Sequence, residues 1–322
     1  MRLLKDPWRH WVERGVWSRI LWPVAALYCG VTALRRRLYA AGVFRVHAPA
    51  VPVVVVGNVT VGGTGKTPFV LWLCEKLAAE GWRPGIVLRG YGGRNRGVLC
   101  VEPTTDPWLA GDEAVLLARH ARGPVIASRD RVAGARALVE RGCDVVIADD
   151  GLQHYRLGRT VEIGVLDGTR RFGNGLCLPA GPLRERAARW GHLDFRVTQG
   201  RAASGEWSMG LEGEHALAVG GEARVPLATL KRVHAVAGIG HPQRFFRALE
   251  KSGIEVIPHP FADHHRYSEK DLMFDSPDPV VMTEKDAVKC ERLARSGLWY
   301  VPVQAALDDE LGRRIISRLR GS

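Results

Sequence analysis

The segment Gly57-Asn58-Val59-Thr60-Val61-Gly62-Gly63-Thr64-Gly65-Lys66-Thr67 constrains this chain more than any other feature. Residues 51–57 (VPVVVVG) before it are a β-branched run, suited to a strand buried on both faces of a parallel sheet. Residues 66–80 after it read as a helix that stops at Gly81. A glycine-rich turn between a buried strand and a helix is the setting of a P-loop. Thr60, Gly62, Gly63, Thr64, Gly65, Lys66 and Thr67 form the candidate nucleotide cradle. Glycines let successive backbone N–H groups converge on phosphate oxygens. Lys66 offers a point charge to the β- and γ-phosphates, and the Thr67 hydroxyl can ligate Mg²⁺. ATP and Mg²⁺ are therefore the expected cofactors. One departure is plain: the strict pattern GxxxxGK[ST] asks for glycine where this chain has Thr60.

Strand–helix alternation continues on both sides of an irregular stretch. Strands are expected at residues 85–88, 125–127, 144–148, 161–166 and 195–198, with helices at 112–121 and 130–141. Residues 89–97 (RGYGGRNRG) are a Gly/Arg-rich loop, and 167–192 are a long loop rich in Gly, Pro and Arg, of a length that inside a domain is usually functional. Alternation resumes with strands at 233–237, 255–258, 279–282 and 298–303 and helices at 242–252 and 285–295. Ser268 followed by Asp271 marks a further helix start. The expected fold is α/β: a P-loop NTPase-like, mostly parallel sheet flanked by helices, with a smaller C-terminal α/β lobe and an N-terminal membrane-associated helix. The boundaries read as an N-terminal segment 1–48, a P-loop core 49–199, an irregular or hairpin linker 200–232, and the C-terminal lobe 233–322. With 46% hydrophobic and 25% charged residues, disordered, collagen-like and disulfide-stapled classes are excluded. Six cysteines without a CxxC pair speak for a reducing compartment and against zinc.

Charge sets the first fifty residues apart. They hold nine Lys/Arg against two acids, a net of +7 out of +12 for the whole chain, and four of its ten tryptophans: Trp8, Trp11, Trp17 and Trp22. The uncharged run 20–34 is fifteen residues long and is interrupted by Pro23 and Gly30. A spanning helix needs roughly 20 apolar residues, so an interfacial helix on anionic lipid is favoured. A helix packed on the core through its Trp face, or a spanning helix, are the alternatives. No Lys/Arg–aromatic interleaving continues along the chain, and no nucleic-acid partner is expected. No obligate protein partner is inferred.

Residues 145–150 (VVIADD) are an apolar strand ending in two acids, Asp149 and Asp150. Carboxylates at a strand end beside a P-loop are where Mg²⁺ is held. Gln153 and His154 follow in the same turn. Asp112 precedes an apolar helix and by itself reads as a helix cap. Asp263-His264-His265 reads either as a solvated loop or as acid/base groups. Partition-type switch ATPases with a deviant P-loop carry a signature Lys at the place of Val61, which argues against an ATP-gated dimer; a switch ATPase acting through protein partners is the alternative function.

The segments GNVTVGGTGKTP, Arg89-Gly90-Tyr91-Gly92, GDEAVLLA, DDGLQH, Gly173-Asn174-Gly175 with Leu178 through Glu185, GIGHPQRFF, FADHH and Thr283-Glu284-Lys285-Asp286 occur in this order. Together they resemble the tetraacyldisaccharide 4′-kinases, the lipid A 4′-kinases of Gram-negative bacteria, from the N-terminal helix to about residue 290. The resemblance implies a peripheral or monotopic enzyme on the cytoplasmic face of the inner membrane. It implies transfer of the ATP γ-phosphate to the 4′-hydroxyl of a lipid-linked, tetraacylated glucosamine disaccharide 1-phosphate, giving lipid IVA for lipopolysaccharide. It also implies that Lys66 and Thr67 are the P-loop pair and that Asp112 is catalytic with His264, His265 being the competing choice. Asp149, Asp150, Gln153, His154 and Glu185 match the cluster around Mg²⁺ and the phosphates. Arg171 and Arg184 are candidates for the substrate's 1-phosphate.

Overall fold

The computed structural model describes residues 8–293 and 296–321, with side chains from residue 10 onward; the charges expected at Arg2, Lys5, Asp6 and Arg9 and the Trp8 ring lie outside it. Two sheets organise the chain. The first has nine strands in the order Gln304–Ala306, Trp207–Glu212, Phe195–Gln199, Val161–Asp167, Val53–Gly57, Val145–Asp149, Pro84–Leu88, Val125–Ser128 and Val98–Val101. Its seven inner strands run parallel, and each edge strand is antiparallel to its neighbour. The run Val53–Val56 is fully buried because helices cover both faces, as the absence of polar alternation requires. One covering helix, Lys66–Ala79, presses Phe69, Val70, Leu73 and Leu77 onto the sheet. Burying such a side chain contributes about 1.5–3 kcal/mol.

The second sheet has six strands in the order Arg224–Pro226, His215–Ala218, Leu298–Val301, Val280–Thr283, Arg232–Ala237 and Glu255–Pro260. The helices Pro242–Lys251 and Glu284–Cys290 pack against it. The helix start read at Ser268 is present as a capping box opening a single 3-10 turn, Glu269–Leu272. The helix read over 285–295 starts at Glu284 and gives way to a 3-10 turn at Glu291–Leu293; Arg295 lies outside the described residues.

Two boundaries differ from the sequence reading. The stretch 200–232, read as an irregular or hairpin linker, does hold a hairpin but is built into both sheets. Its strand Trp207–Glu212 extends the first sheet, with Met209 buried, and the hairpin His215–Ala218/Arg224–Pro226 starts the second. The end of the chain, placed in the C-terminal lobe, returns to the first sheet. Gln304–Ala306 pairs with Trp207–Glu212, and the helix Asp309–Arg320 buries Leu311, Ile315, Ile316 and Leu319 in the same core as Phe69 and Leu73. An i, i+4, i+8 apolar stripe explains that packing. The strand Val98–Val101 was also not expected; it covers the sheet edge beside Val125–Ser128.

The N-terminal helix Trp22–Ala40 lies across the first lobe with two unlike faces. Ala25 is buried, and Tyr28 and Cys29 pack on the core. Val24, Leu27, Val31 and Leu34 are more than half exposed, in line with Ile20 from the preceding turn. The long loop clasps the segment before it: Trp11 Nε1 donates to the Pro179 carbonyl (3.0 Å) and Asn174 Nδ2 to the buried Ser18 hydroxyl (3.1 Å). No helix among the described residues is long and apolar enough to cross a membrane.

Candidate active site

The P-loop lies at the C-terminal ends of the central strands. Gly65 caps the following helix at φ +85°, a conformation other residues adopt only with strain. A β-carbon there would also meet the Gln199 amide oxygen at 2.8 Å. Thr60 is buried and pairs antiparallel with Leu183, flanked by Val61 N–H to Pro182 O (2.9 Å) and Arg184 N–H to Val59 O (2.7 Å). That strand-like pairing suits a β-branched residue and accounts for Thr60 in place of glycine.

At the end of Val145–Asp149 the two acids have opposite surroundings. Asp150, at φ +51°, accepts from Arg184 Nη1 at 2.8 and 2.9 Å and faces Lys66 Nζ at 3.4 Å. Burial would raise its carboxyl, but the Lys66 and Arg184 charges hold it far below the usual range. Asp149 is buried, and its Oδ1 has no hydrogen-bond partner among the described residues. Burial pushes it up to about 7, against the pull of Lys66. An orphaned buried carboxylate oxygen beside the P-loop helix carrying Thr67 fits a hard divalent cation, and hard oxygen donors are what Mg²⁺ takes.

Glu185 does not stand open to that position. It is buried, with Oε1 accepting from Gln153 Nε2 (2.9 Å) and Oε2 from the Tyr155 hydroxyl. Arg36 of the N-terminal helix approaches it to 3.9 Å. Among the described residues no three His, Cys, Asp or Glu side chains converge on one point, so the expected set of Thr67, Asp149, Asp150 and Glu185 is not assembled as a closed cage. Both Glu185 oxygens are already engaged. His154 is pushed down to about 4, by burial first and then by Arg131, and is a neutral imidazole at physiological pH.

The second chemical group is built from both lobes. Asp112 opens the helix Asp112–His120, after Gly111 at φ +94°. His264 comes from the second lobe's loop, at φ +60°. Its Nδ1 lies 3.0 Å from Asp112 Oδ2 across 152 residues of sequence. Tyr91 of the glycine-rich loop packs on the His264 ring, with centroids 4.9 Å apart. Burial would raise Asp112, but the His264 hydrogen bond and the Lys285 charge outweigh it and hold the carboxyl below its ordinary value. For His264, burial lowers and the Asp112 bond raises, with a net rise. His265 points elsewhere: its Nε2 is 3.4 Å from Asp271 and its ring packs on Phe261. Of the two imidazoles left open by the sequence, His264 is the one that reaches Asp112.

Arg171 is not gathered with these groups. Its guanidinium forms two bonds to Glu206, at 2.7 and 3.1 Å. Sequence reasoning passed over Tyr91, Glu113, Tyr155 and Lys285; Tyr91, Glu113 and Lys285 stood inside quoted motifs without roles. The Glu113 charge, in the first turn of the Asp112 helix, raises Asp149 further. The two lobes also touch at the P-loop, where a β-carbon on Gly240 would lie 2.9 Å from the Gly63 nitrogen.

A sequence model described as LpxK, Tetraacyldisaccharide-1-P 4'-kinase, matches residues 17–320. The Tetraacyldisaccharide 4'-kinase of Nitrosococcus oceani is 45% identical over 316 residues, covering 97% of this chain and 94% of the relative. That of Alkalilimnicola ehrlichii is 52% identical over 314 residues, covering 94% and 92%. A crystal structure of the "apo" form of LpxK from Aquifex aeolicus in complex with ATP is similar to this fold, with a TM-score of 0.78 and 30% identity, covering 94% of this chain and 99% of that one. The switch-ATPase alternative finds no support in these comparisons. The chain belongs to the tetraacyldisaccharide 4′-kinase family.

Proposed function

We propose that this chain carries out its family's reaction, transfer of the ATP γ-phosphate to the 4′-hydroxyl of a tetraacylated glucosamine disaccharide 1-phosphate, with phosphate chemistry in one lobe and proton chemistry shared between two. The observation that carries the reading is the Asp112–His264 contact at 3.0 Å, beside a P-loop whose Lys66 already faces Asp150. Phosphoryl transfer is mostly positioning and charge neutralisation. Lys66 and the loop amides hold the β- and γ-phosphates. Thr67 and Asp149 would hold Mg²⁺, with Asp150 near; the ion would neutralise charge on the phosphate oxygens. Arg184 keeps Asp150 ionised and oriented. Asp112 accepts the proton of the sugar hydroxyl as the oxygen attacks, and His264 orients the carboxylate and stabilises its charge.

The substrate is amphipathic, and the N-terminal helix offers the matching surface. Its exposed Val24, Leu27, Val31 and Leu34 enter the lipid, while Arg35, Arg36 and Arg37 close its last turns. Arg36 approaches Glu185 and so links the lipid-facing helix to the polar cluster. The protein thus works at a membrane surface, on the cytoplasmic face of the inner membrane where ATP is available. Incubation of the protein with ATP, Mg²⁺ and the lipid disaccharide 1-phosphate in detergent should label the lipid. ATP hydrolysis without lipid labelling would defeat the reading.

A further inference from the structure

Lys285 stands in the quoted Thr283-Glu284-Lys285-Asp286 segment, outside the roles assigned above. It is the second residue of the helix Glu284–Cys290, in the second lobe, and its side chain is 15% exposed. Its ammonium lies 3.0 Å from Glu113 Oε1 and 3.3 Å from Asp263 Oδ1. Glu113 follows Asp112 in sequence, and Asp263 precedes His264. One cation therefore grips the neighbour of each partner, one on each lobe. A second contact keeps the helices together, His120 Nε2 to Glu284 Oε1 at 2.6 Å.

We propose that Lys285 is the positioning residue of the acid–base pair, holding Asp112 and His264 in register by bridging Glu113 and Asp263. The inference rests on the acid–base reading above. Asp112 faces His264, Lys285 and Lys289, and His264 faces Asp112, Asp263 and Lys285. Lys289 Nζ lies 2.7 Å from Asp286 Oδ1 in a buried ion pair, whereas Lys285 contacts the residue beside each partner. Its charge favours the ionised carboxylate and the neutral imidazole. Removing it makes the coupled pair bind its protons more tightly, so the ascending limb of activity moves to higher pH.

The test compares Lys285→Met, Lys285→Arg and Asp112→Asn, full length and in detergent, by kcat, both KM values, pH profile and thermal melting. Lys285→Met should lose about 10–100-fold in kcat with KM little changed, and its ascending limb should rise by about one pH unit. Lys285→Arg should recover most of both. An unmoved limb overturns the inference, whether kcat is kept or is lost together with melting temperature. A dead Asp112→Asn beside a silent Lys285→Met defeats the lysine's role and leaves the acid–base reading standing. An active Asp112→Asn defeats that reading and this inference with it. Should Lys285→Met not fold, Asp263→Asn releases one grip from a part-exposed loop; a severalfold fall in kcat at unchanged melting supports the bridge, and wild-type kcat overturns it.

Discussion

The phosphate side and the proton side of this site are built in opposite ways. The first is one continuous turn between the strand Val53–Gly57 and the helix Lys66–Ala79, so its geometry follows from local chain chemistry. The second brings together Asp112 and His264 from two lobes. A site set mainly by one turn depends most on its own residues, whereas an assembled one is also lost by moving a lobe. The largest effect is therefore expected at the local site. Lys66→Ala should lower kcat by about 10³-fold or more, because a preorganised charge on the transferring phosphates is removed. Its melting curve should stay near wild type, since the ion pair of Lys66 among the described residues is with the part-exposed Asp150. Lipid-kinase assays of the folded variant check this; near wild-type turnover would remove Lys66 from the reaction.

The assembled side predicts a different pattern. Asp112→Ala and His264→Ala should each cost about 10²–10⁴-fold in kcat, and the double variant should be little worse than the worse single one, because the two act as a unit. His265→Ala should be mild, since its imidazole engages Asp271. Multiplicative losses in the double variant would separate the two roles, and a dead His265→Ala beside a silent His264→Ala would reverse the choice of imidazole.

The same contrast explains what could be read from the residues alone. The strand, turn and helix around Lys66 follow from β-branched burial, glycine placement and a helical period, all short-range properties. VVIADD was legible for the same reason. Asp112 was not: before a helix, a structural cap and a base look identical, and only a partner 152 residues away separates them. Glu185 and Arg171 depart from expectation in the other direction. Both are charged residues in a glycine-rich loop, yet Tyr155 and Gln153 occupy one and Glu206 the other. Partners that lie far apart in sequence decide whether a charge faces a ligand or braces the fold. The C-terminal helix was missed although its stripe is regular, because its docking on the first lobe depends on the chain crossing back between lobes.

The N-terminal helix extends the comparison to a third surface, one whose outer face is more than half exposed among the described residues. Leu27→Glu and Val31→Glu place charges on positions 69% and 56% exposed. Melting should change by no more than about 0.5 kcal/mol, as for surface substitutions in general. Flotation with anionic vesicles should fall severalfold, since the apolar face supplies the salt-resistant part of the attachment and the arginines the screened part. Unchanged flotation at high salt would place the membrane contact on another surface.

The smallest effect separates a substrate arginine from a structural one. Glu206 accepts from both Arg171 nitrogens, from Trp190 Nε1 at 2.8 Å, from the Thr198 hydroxyl at 2.7 Å and from the Ala203 N–H at 3.0 Å. Its side chain is 4% exposed and ties the long loop to the strands that flank it. Burial would raise the carboxyl, yet the Arg171 bonds and the other donors bring it down to about 2. A carboxylate whose folded value lies below its ordinary one stabilises the fold above that ordinary value, and the contribution fades as pH falls towards the folded value. Arg171→Ala should therefore cost about 1–2 kcal/mol at neutral pH, discounted because the guanidinium itself is one-third exposed. The gap from wild type should narrow as pH falls from the ordinary carboxylate range, where Glu206 of the variant protonates first, and close near 2, where wild-type Glu206 follows. Melting curves at neutral and acid pH measure it, alongside KM for the lipid. A gap that closes in acid with KM unchanged assigns Arg171 to the fold. A raised KM at unchanged stability would return it to the phosphate side, as a group that releases Glu206 to meet the substrate.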